Sequence, residues 1–131
     1  MPDRVRVEAP AKLNLHLAVG PLREDGYHDI VSLIHAVRFG DSLGIQRRAG
    51  GPSVTVRGNR QVPQQRDLAA RAAEGFMREA GVSARIEIAV EKRIPIGGGL
   101  GGGSSDAAST LLGMDALFPA AVSPPGIARL A

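Results

Sequence analysis

The stretch Pro95-Ile-Gly-Gly-Gly-Leu-Gly-Gly-Gly-Ser-Ser-Asp106 is half glycine, six residues of twelve, three on either side of Leu100. Backbone without Cβ atoms enters φ > 0 regions freely and approaches a ligand that side chains would hold away. Ser104 and Ser105 are N-cap residue types, and Ala108, Leu111, Leu112 and Leu117 follow at helical spacing, so a helix is expected to begin where the glycines stop. Its first turn would add unpaired N–H groups and the positive end of a macrodipole to the amides of the loop. That combination is an anion cradle suited to a phosphate chain.

Other readings of the same residues make different demands. A Walker A loop ends in Gly-Lys-Ser/Thr, and no lysine lies between Pro95 and Ala131. Gly97, Gly99 and Gly102 satisfy G-x-G-x-x-G, but a run this rich in glycine matches that pattern almost unavoidably. A dinucleotide site also wants a buried strand running straight into the turn, whereas Glu91-Lys-Arg-Ile-Pro95 intervenes, and only Asp115 follows as an acidic candidate for the ribose. A flexible Gly/Ser linker would not be flanked by a strand and a capped helix.

Three further places carry polar residues in telling positions. Leu13, Leu15 and Leu17 alternate with Lys12, Asn14 and His16, which places the polar set on the strand face opposite the leucines; on pattern alone that face could simply meet solvent. Tyr27-His28 follows the turn Asp25-Gly26 and offers a ring for stacking and an imidazole for hydrogen bonding, although such a pair at a loop end often only anchors the chain. Lys92 stands three residues before Pro95, where a solvated strand-end lysine is the alternative.

Taken together, Pro95-x-x-x-Gly99-Leu100-Gly101 with Ser104-Ser105 resembles the ATP-binding motif of the GHMP family, the kinases of galactose, homoserine, mevalonate and phosphomevalonate. The extended Gly-Leu-Gly-Gly-Gly-Ser-Ser-Asp-Ala-Ala, the opening Ala9-Pro-Ala-Lys-Leu-Asn-Leu15 and Arg23-Glu-Asp-Gly-Tyr-His28 are similar in particular to its diphosphocytidyl-methylerythritol kinases. The resemblance implies ATP-dependent phosphorylation of a cytidine diphosphate-linked methylerythritol at its 2-hydroxyl, in non-mevalonate isoprenoid synthesis, with Mg²⁺ and ATP. It makes Lys12 the catalytic charge-stabilising residue and puts Asn14 at the substrate. It has Tyr27 stack on cytosine and His28 read its edge, and places Lys92 beside the adenine. The phosphates fall to Pro95, Ile96, Gly97, Gly98, Gly99, Leu100, Gly101, Gly102, Gly103, Ser104 and Ser105, a serine hydroxyl reaching a phosphate oxygen or Mg²⁺. Asp67 stands where the family commonly has asparagine near the adenine, and helix capping alone accounts for it. Asp106 beside phosphates makes sense only if it faces a cation or caps the helix.

The family's catalytic aspartate lies in a Gly-Ala/Ser-Asp-Val-Pro motif, which does not occur in these 131 residues. Family members are roughly twice as long. Residues 1–131 are therefore expected to be the ATP-binding amino-terminal domain of such a kinase, impaired in catalysis by itself.

The elements that would position these residues follow from patterning. Arg4–Glu8 and Leu13–Leu17 read as strand, kink, strand, and Ile30–Phe39 as a strand closed by Gly40-Asp41, with helix the alternative. Leu43–Arg47 and Ser53–Arg57 alternate around Ala49-Gly-Gly-Pro52 and read as a hairpin. Asp67 caps a helix to about Ala80, with Leu68, Ala72, Ala73, Phe76 and Met77 on one side and Gly81 as stop. Ile86, Ile88 and Val90 share one face of a strand leading to Pro95, and a last helix follows Pro124-Pro125. The predicted class is α+β, helices packed on one face of a mixed sheet.

Composition sets outer limits. A chain of 131 residues, 44% hydrophobic, suits one domain with its own core. Sixteen Lys+Arg against thirteen Asp+Glu gives +3, scattered rather than striped, which suits a nucleotide-sized anion and does not call for nucleic acid. A basic α+β RNA-binding module is the competing non-enzymatic reading. Absence of cysteine removes disulfides and thiolate metal sites and fits a reducing cytoplasm. The sequence has no signal-like start and no apolar run near 18 residues, so no membrane partner is expected. Oligomeric state is not encoded legibly.

Overall fold

A computed structural model describes residues 2–131. Four strands, β1 (Arg4–Leu22), β2 (His28–Arg48), β3 (Ser53–Arg57) and β4 (Arg85–Glu91), form one sheet in the order β1-β2-β4-β3. β1 and β2 are antiparallel, as are β2 and β4, while β3 and β4 are parallel, so the sheet is mixed. Among the described residues are also a single 3-10 turn (Gln64–Arg66) and three α-helices, α1 (Leu68–Ala80), α2 (Gly102–Leu117) and α3 (Pro124–Leu130), and the core lies between α1, α2 and the sheet. Leu43 and Ile45 of β2 and Ile86 and Ile88 of β4 meet Phe76 of α1 and Leu111, Met114 and Leu117 of α2, all fully buried. Gly113 lets α2 come close, since a Cβ there would stand 2.4 Å from the Cδ1 of Ile45. No helix among the described residues is long and apolar enough to cross a membrane.

α1 has the boundaries its end signals predict. The Asp67 carboxylate accepts from the N–H groups of Ala69 and Ala70, and Gly81 terminates the helix at φ 64°. Leu68 departs from the expected buried face: it is 40% exposed, at the rim of the glycine loop.

Four expectations need correction. Gly40-Asp41 does not close a strand; β2 runs on to Arg48. Gly40 instead lets β1 approach β2 closely, since a Cβ there would lie 2.4 Å from the Ala9 carbonyl oxygen, and the register shifts just beyond. Leu43–Arg47 and Ser53–Arg57 are not hairpin partners. β4, returned by α1, inserts between them and pairs with both. α2 begins at Gly102 rather than at the serines, its N-cap being Gly101 in the left-handed region with no side-chain cap. Finally, Leu13, Leu15 and Leu17 are not a buried face. Beyond Lys12 the β1–β2 ribbon leaves the sheet as a two-stranded arm, and these leucines are 43–59% exposed. A register shift between Asn14 and His16 also breaks the strict alternation that would keep Lys12, Asn14 and His16 on one side.

Candidate functional site

The glycine loop is built by alternating left-handed residues. Gly97, Gly99 and Gly101 have φ of 76°, 72° and 70°, a conformation costly for any residue with a Cβ. The first helical hydrogen bond of α2 runs from the Ser105 N–H to the Gly101 carbonyl at 2.9 Å, so the N–H groups of Gly102, Gly103 and Ser104 have no partner within the helix. The loop wraps a cavity of about 210 Å³ whose other wall is Asn59, Val62, Arg66, Leu68 and Lys92. Pro95, Ile96, Gly97, Gly98, Gly99, Leu100, Gly101, Gly102 and Gly103 all line it. Glycine at 102 is favoured by packing too, since a Cβ there would lie 2.9 Å from Cγ2 of the buried Ile94, whereas one at Gly103 would meet only the tip of the half-exposed Leu68, at 3.1 Å.

β1 docks directly on this loop. The Lys12 N–H donates to the Leu100 carbonyl at 2.9 Å, and the Lys12 side chain lies against Gly101, where a Cβ would meet its Cγ at 3.0 Å. The Ser105 hydroxyl donates to the Pro10 carbonyl at 2.7 Å and that of Ser109 to the Glu8 carbonyl at 3.2 Å, clamping α2 to β1. Lys12 is thus the cation held beside the loop. The two serines divide differently from expectation. Ser105 spends its hydroxyl on the backbone, and Ser104 lines a separate groove with Arg71 and Arg129.

Asn14, Tyr27 and His28 lie on the arm. The Ser32 hydroxyl donates to Asn14 Oδ1 at 3.0 Å. Tyr27 stands 72% exposed at the tip, its N–H bonded to the Asp25 carboxylate, and His28 Nδ1 lies 2.7 Å from the Gly20 carbonyl. Arg23 bridges Asp25 and Asp29 across the turn. Neither Tyr27 nor His28 lines the cavity at the loop, and ten residue steps along β1 lead from Lys12 to Leu22, a contour of at most ~33 Å.

Beneath α2 lies a cluster that the pattern of residues does not reveal. Lys92 Nζ is 2.6 Å from Asp41 Oδ2 and 3.0 Å from Asp106 Oδ2, with both carboxylates buried and the lysine side chain only 16% exposed. Lys92 is therefore not a solvated strand end, and Asp106 faces a cation. Asp41 Oδ1 accepts from the N–H groups of Arg93 at 2.6 Å and Ile94 at 2.8 Å. Burial raises the Asp106 carboxyl to about 7, helped by the neighbouring Asp41 and opposed by Lys92. Its Oδ1 is buried without a partner. Burial would push Asp41 up as well, but hydrogen bonds with Asp106, Ile94, Lys92 and Arg93 outweigh it and hold it below the usual carboxylate value. Lys92 loses by burial and gains more from its two carboxylates, so its ammonium is retained. Asn59 was equally hidden in the sequence. Its Nδ2 donates to Asp67 at 2.8 Å while its Oδ1 is buried without a partner at the cavity wall.

Among the described residues no group of three His, Cys, Asp or Glu side chains could hold a metal ion. The donors gathered here are backbone amides and lysines, which serve an anion.

The GHMP kinases N terminal domain family matches residues 67–131. The chain is 46% identical over 121 residues to 4-diphosphocytidyl-2-C-methyl-D-erythritol kinase of Rhodococcus jostii (strain RHA1), covering 90% of this chain and 39% of that protein. It is 49% identical over 110 residues to the kinase of the same name from Nitrosospira multiformis, covering 84% of this chain and 37% of the relative. The crystal structure of a 4-(cytidine 5'-diphospho)-2C-methyl-D-erythritol kinase superposes with a TM-score of 0.82 at 39% identity, over 97% of this chain and 46% of the other. That of homoserine kinase from Cytophaga hutchinsonii reaches 0.73 at 17% identity, a likeness of fold. The chain spans less than half the length of these relatives. An alternating glycine loop at a helix N-terminus, docked on β1 beside Lys12, thus coincides with the sequence match, and the chain belongs to the GHMP kinase family through its amino-terminal domain.

Proposed function

We propose that this chain is the ATP-binding portion of a cytoplasmic kinase that transfers the γ-phosphoryl group of ATP to the 2-hydroxyl of 4-diphosphocytidyl-2-C-methyl-D-erythritol. The observation that carries the reading is Lys12 packed against Gly101, which sets a cation at the edge of a loop with open amides. In the reaction the substrate hydroxyl oxygen bonds to the γ-phosphorus, the bond to the β-phosphate oxygen breaks, ADP leaves, and the hydroxyl proton passes to a base. Little covalent work falls to the protein; positioning and charge neutralisation dominate.

The residues present match those demands. Amides of the loop and of the first turn of α2 suit phosphate oxygens, and Lys12 suits the charge that builds on the transferred group. Mg²⁺ brought in with the nucleotide would supply further charge neutralisation to the phosphates, and no cluster of carboxylates among the described residues is set to hold it. The cytidyl end lies along the arm, where Tyr27 offers an exposed ring for the base and His28 an edge donor. The base that takes the proton comes from outside residues 1–131, from the sequence that the longer relatives possess. That remainder also forms a second domain over the arm, whose Leu15, Leu17, Val19, Ile30 and Leu33 are 50–62% exposed here.

Thermal melting with added ligands tests the proposal. A nucleotide at 100 times its dissociation constant stabilises by about 2.7 kcal/mol. Mg-ADP should raise the melting temperature, the cytidyl substrate should raise it further, and mevalonate or homoserine should not. A rise with either of the last two and none with the cytidyl compound would move the assignment to another member of the family.

A further inference from the structure

The register shift in the arm decides which polar side chains stand together. Lys12 pairs with Ala36 and Asn14 with Ile34 in unbroken register, so the two share a face, about 7 Å apart along the strand. Two steps on β1 then match one on β2, so His16 pairs with Leu33 and turns to the opposite face. Ser32, two residues from Ile34, stays on the face of Asn14. Its hydroxyl lies 3.0 Å from Asn14 Oδ1 and 3.1 Å from the His16 carbonyl oxygen, and both accept from it. The third polar residue beside Lys12 and Asn14 is therefore Ser32 and not His16.

That bond fixes which end of the Asn14 amide looks out. With Oδ1 turned to the half-buried Ser32, the exposed side chain presents Nδ2 and its N–H donors, on the face that carries the Lys12 ammonium. Such a pair suits a hydroxyl or phosphoryl oxygen. Its place along the arm narrows the ligand further: Asn14 stands two residues from Lys12 and eight from Leu22, toward the glycine loop and away from Tyr27 and His28 at the tip. We propose that Ser32 is a positioning residue for the acceptor end of the substrate, holding the Asn14 amide so that it donates to an oxygen of the polyol that receives the phosphoryl group. The inference rests on the substrate reading above, in which the cytidyl end lies toward the tip, and adds a residue to it.

Calorimetric titration in saturating Mg-ADP with two ligands that differ by the polyol, 4-diphosphocytidyl-2-C-methyl-D-erythritol and cytidine diphosphate, is the test. Wild type should bind the first more tightly. Ser32→Ala should weaken it about three- to tenfold, the range of one hydrogen bond, and leave cytidine diphosphate unchanged. Ser32→Thr keeps a hydroxyl on a side chain that suits a strand and should restore the affinity. Asn14→Ala should lose as much as Ser32→Ala, and combining the two should cost nothing further. Asn14→Asp still accepts from Ser32 but has no donor to turn outward, so it should not recover the loss. An undiminished preference in Ser32→Ala, no restoration by Ser32→Thr, full affinity in Asn14→Asp, or an equal loss for cytidine diphosphate each overturns the proposal. Wild type that binds both ligands equally overturns this inference alone, whereas wild type that binds neither sinks the substrate reading and the inference with it.

Discussion

Replacing Asp106 by asparagine should change how stability depends on pH. In the native state its carboxyl titrates near 7, whereas an unfolded chain releases that proton near 3.8. Between those values the folded protein holds a proton that the unfolded chain has lost, so stability contributed at this residue falls as pH rises and levels off above about 7. Asp41, held low, works in the opposite sense but at more acid pH, so the window from pH 5 to 7 isolates Asp106. Two pH units across that window are worth at most ~2.7 kcal/mol at about 1.36 kcal/mol per unit. With an unfolding entropy of about 2.1 cal/mol/K per residue, this is at most roughly 10 °C. Thermal melts of wild type and Asp106→Asn at pH 5, 6, 7 and 8 read it directly. Wild type should lose several degrees and at most about 10 °C relative to the variant between pH 5 and 7, and little further to pH 8. Parallel curves would show that this carboxyl is not buried neutral, and the account of the cluster would be wrong.

Three other perturbations probe separate parts of the structure. Asp67→Ala removes the acceptor for Ala69, Ala70 and Asn59 and should cost about 1–2 kcal/mol in urea unfolding, with Asp67→Asn recovering part of it. Gly101→Ala and Gly97→Ala both force a Cβ into the left-handed region at about 1–2 kcal/mol, but only the first collides with Lys12. Its ADP affinity should therefore fall well below that of Gly97→Ala in calorimetry. Tyr27→Ala should leave stability within about 0.5 kcal/mol, since the ring is 72% exposed, while abolishing the thermal shift given by a cytidine diphosphate ligand.

Legibility in the sequence followed the range of the interactions. α1 could be read to the residue because Asp67 and Gly81 carry its end signals locally, and β4 because Ile86, Ile88 and Val90 alternate with charges. The glycine loop was legible by composition, and Gly97, Gly99 and Gly101 do take left-handed conformations. The start of α2 did not follow propensity: Gly102 and Gly103 are poor helix formers yet open the helix, and at Gly102 the close approach of Ile94 favours a residue without a Cβ. The pairing of β3 with β4 is set by the return through α1, which periodicity does not record. The arm misled for another reason, since alternation implies a buried face and Leu13, Leu15 and Leu17 have none within this chain. Least visible was the Asp41–Lys92–Asp106 cluster, whose lysine stands 51 residues from one carboxylate and 14 from the other.

The central claim, that the loop and Lys12 together grip a phosphate chain, is tested most directly by titrating wild type and Lys12→Met with AMP, ADP and a non-hydrolysable ATP analogue. Wild type should bind each at one site, and the loss on removing the lysine should grow with the number of phosphates, reaching tenfold or more for the triphosphate. Equal affinities in the two proteins across the series would contradict it.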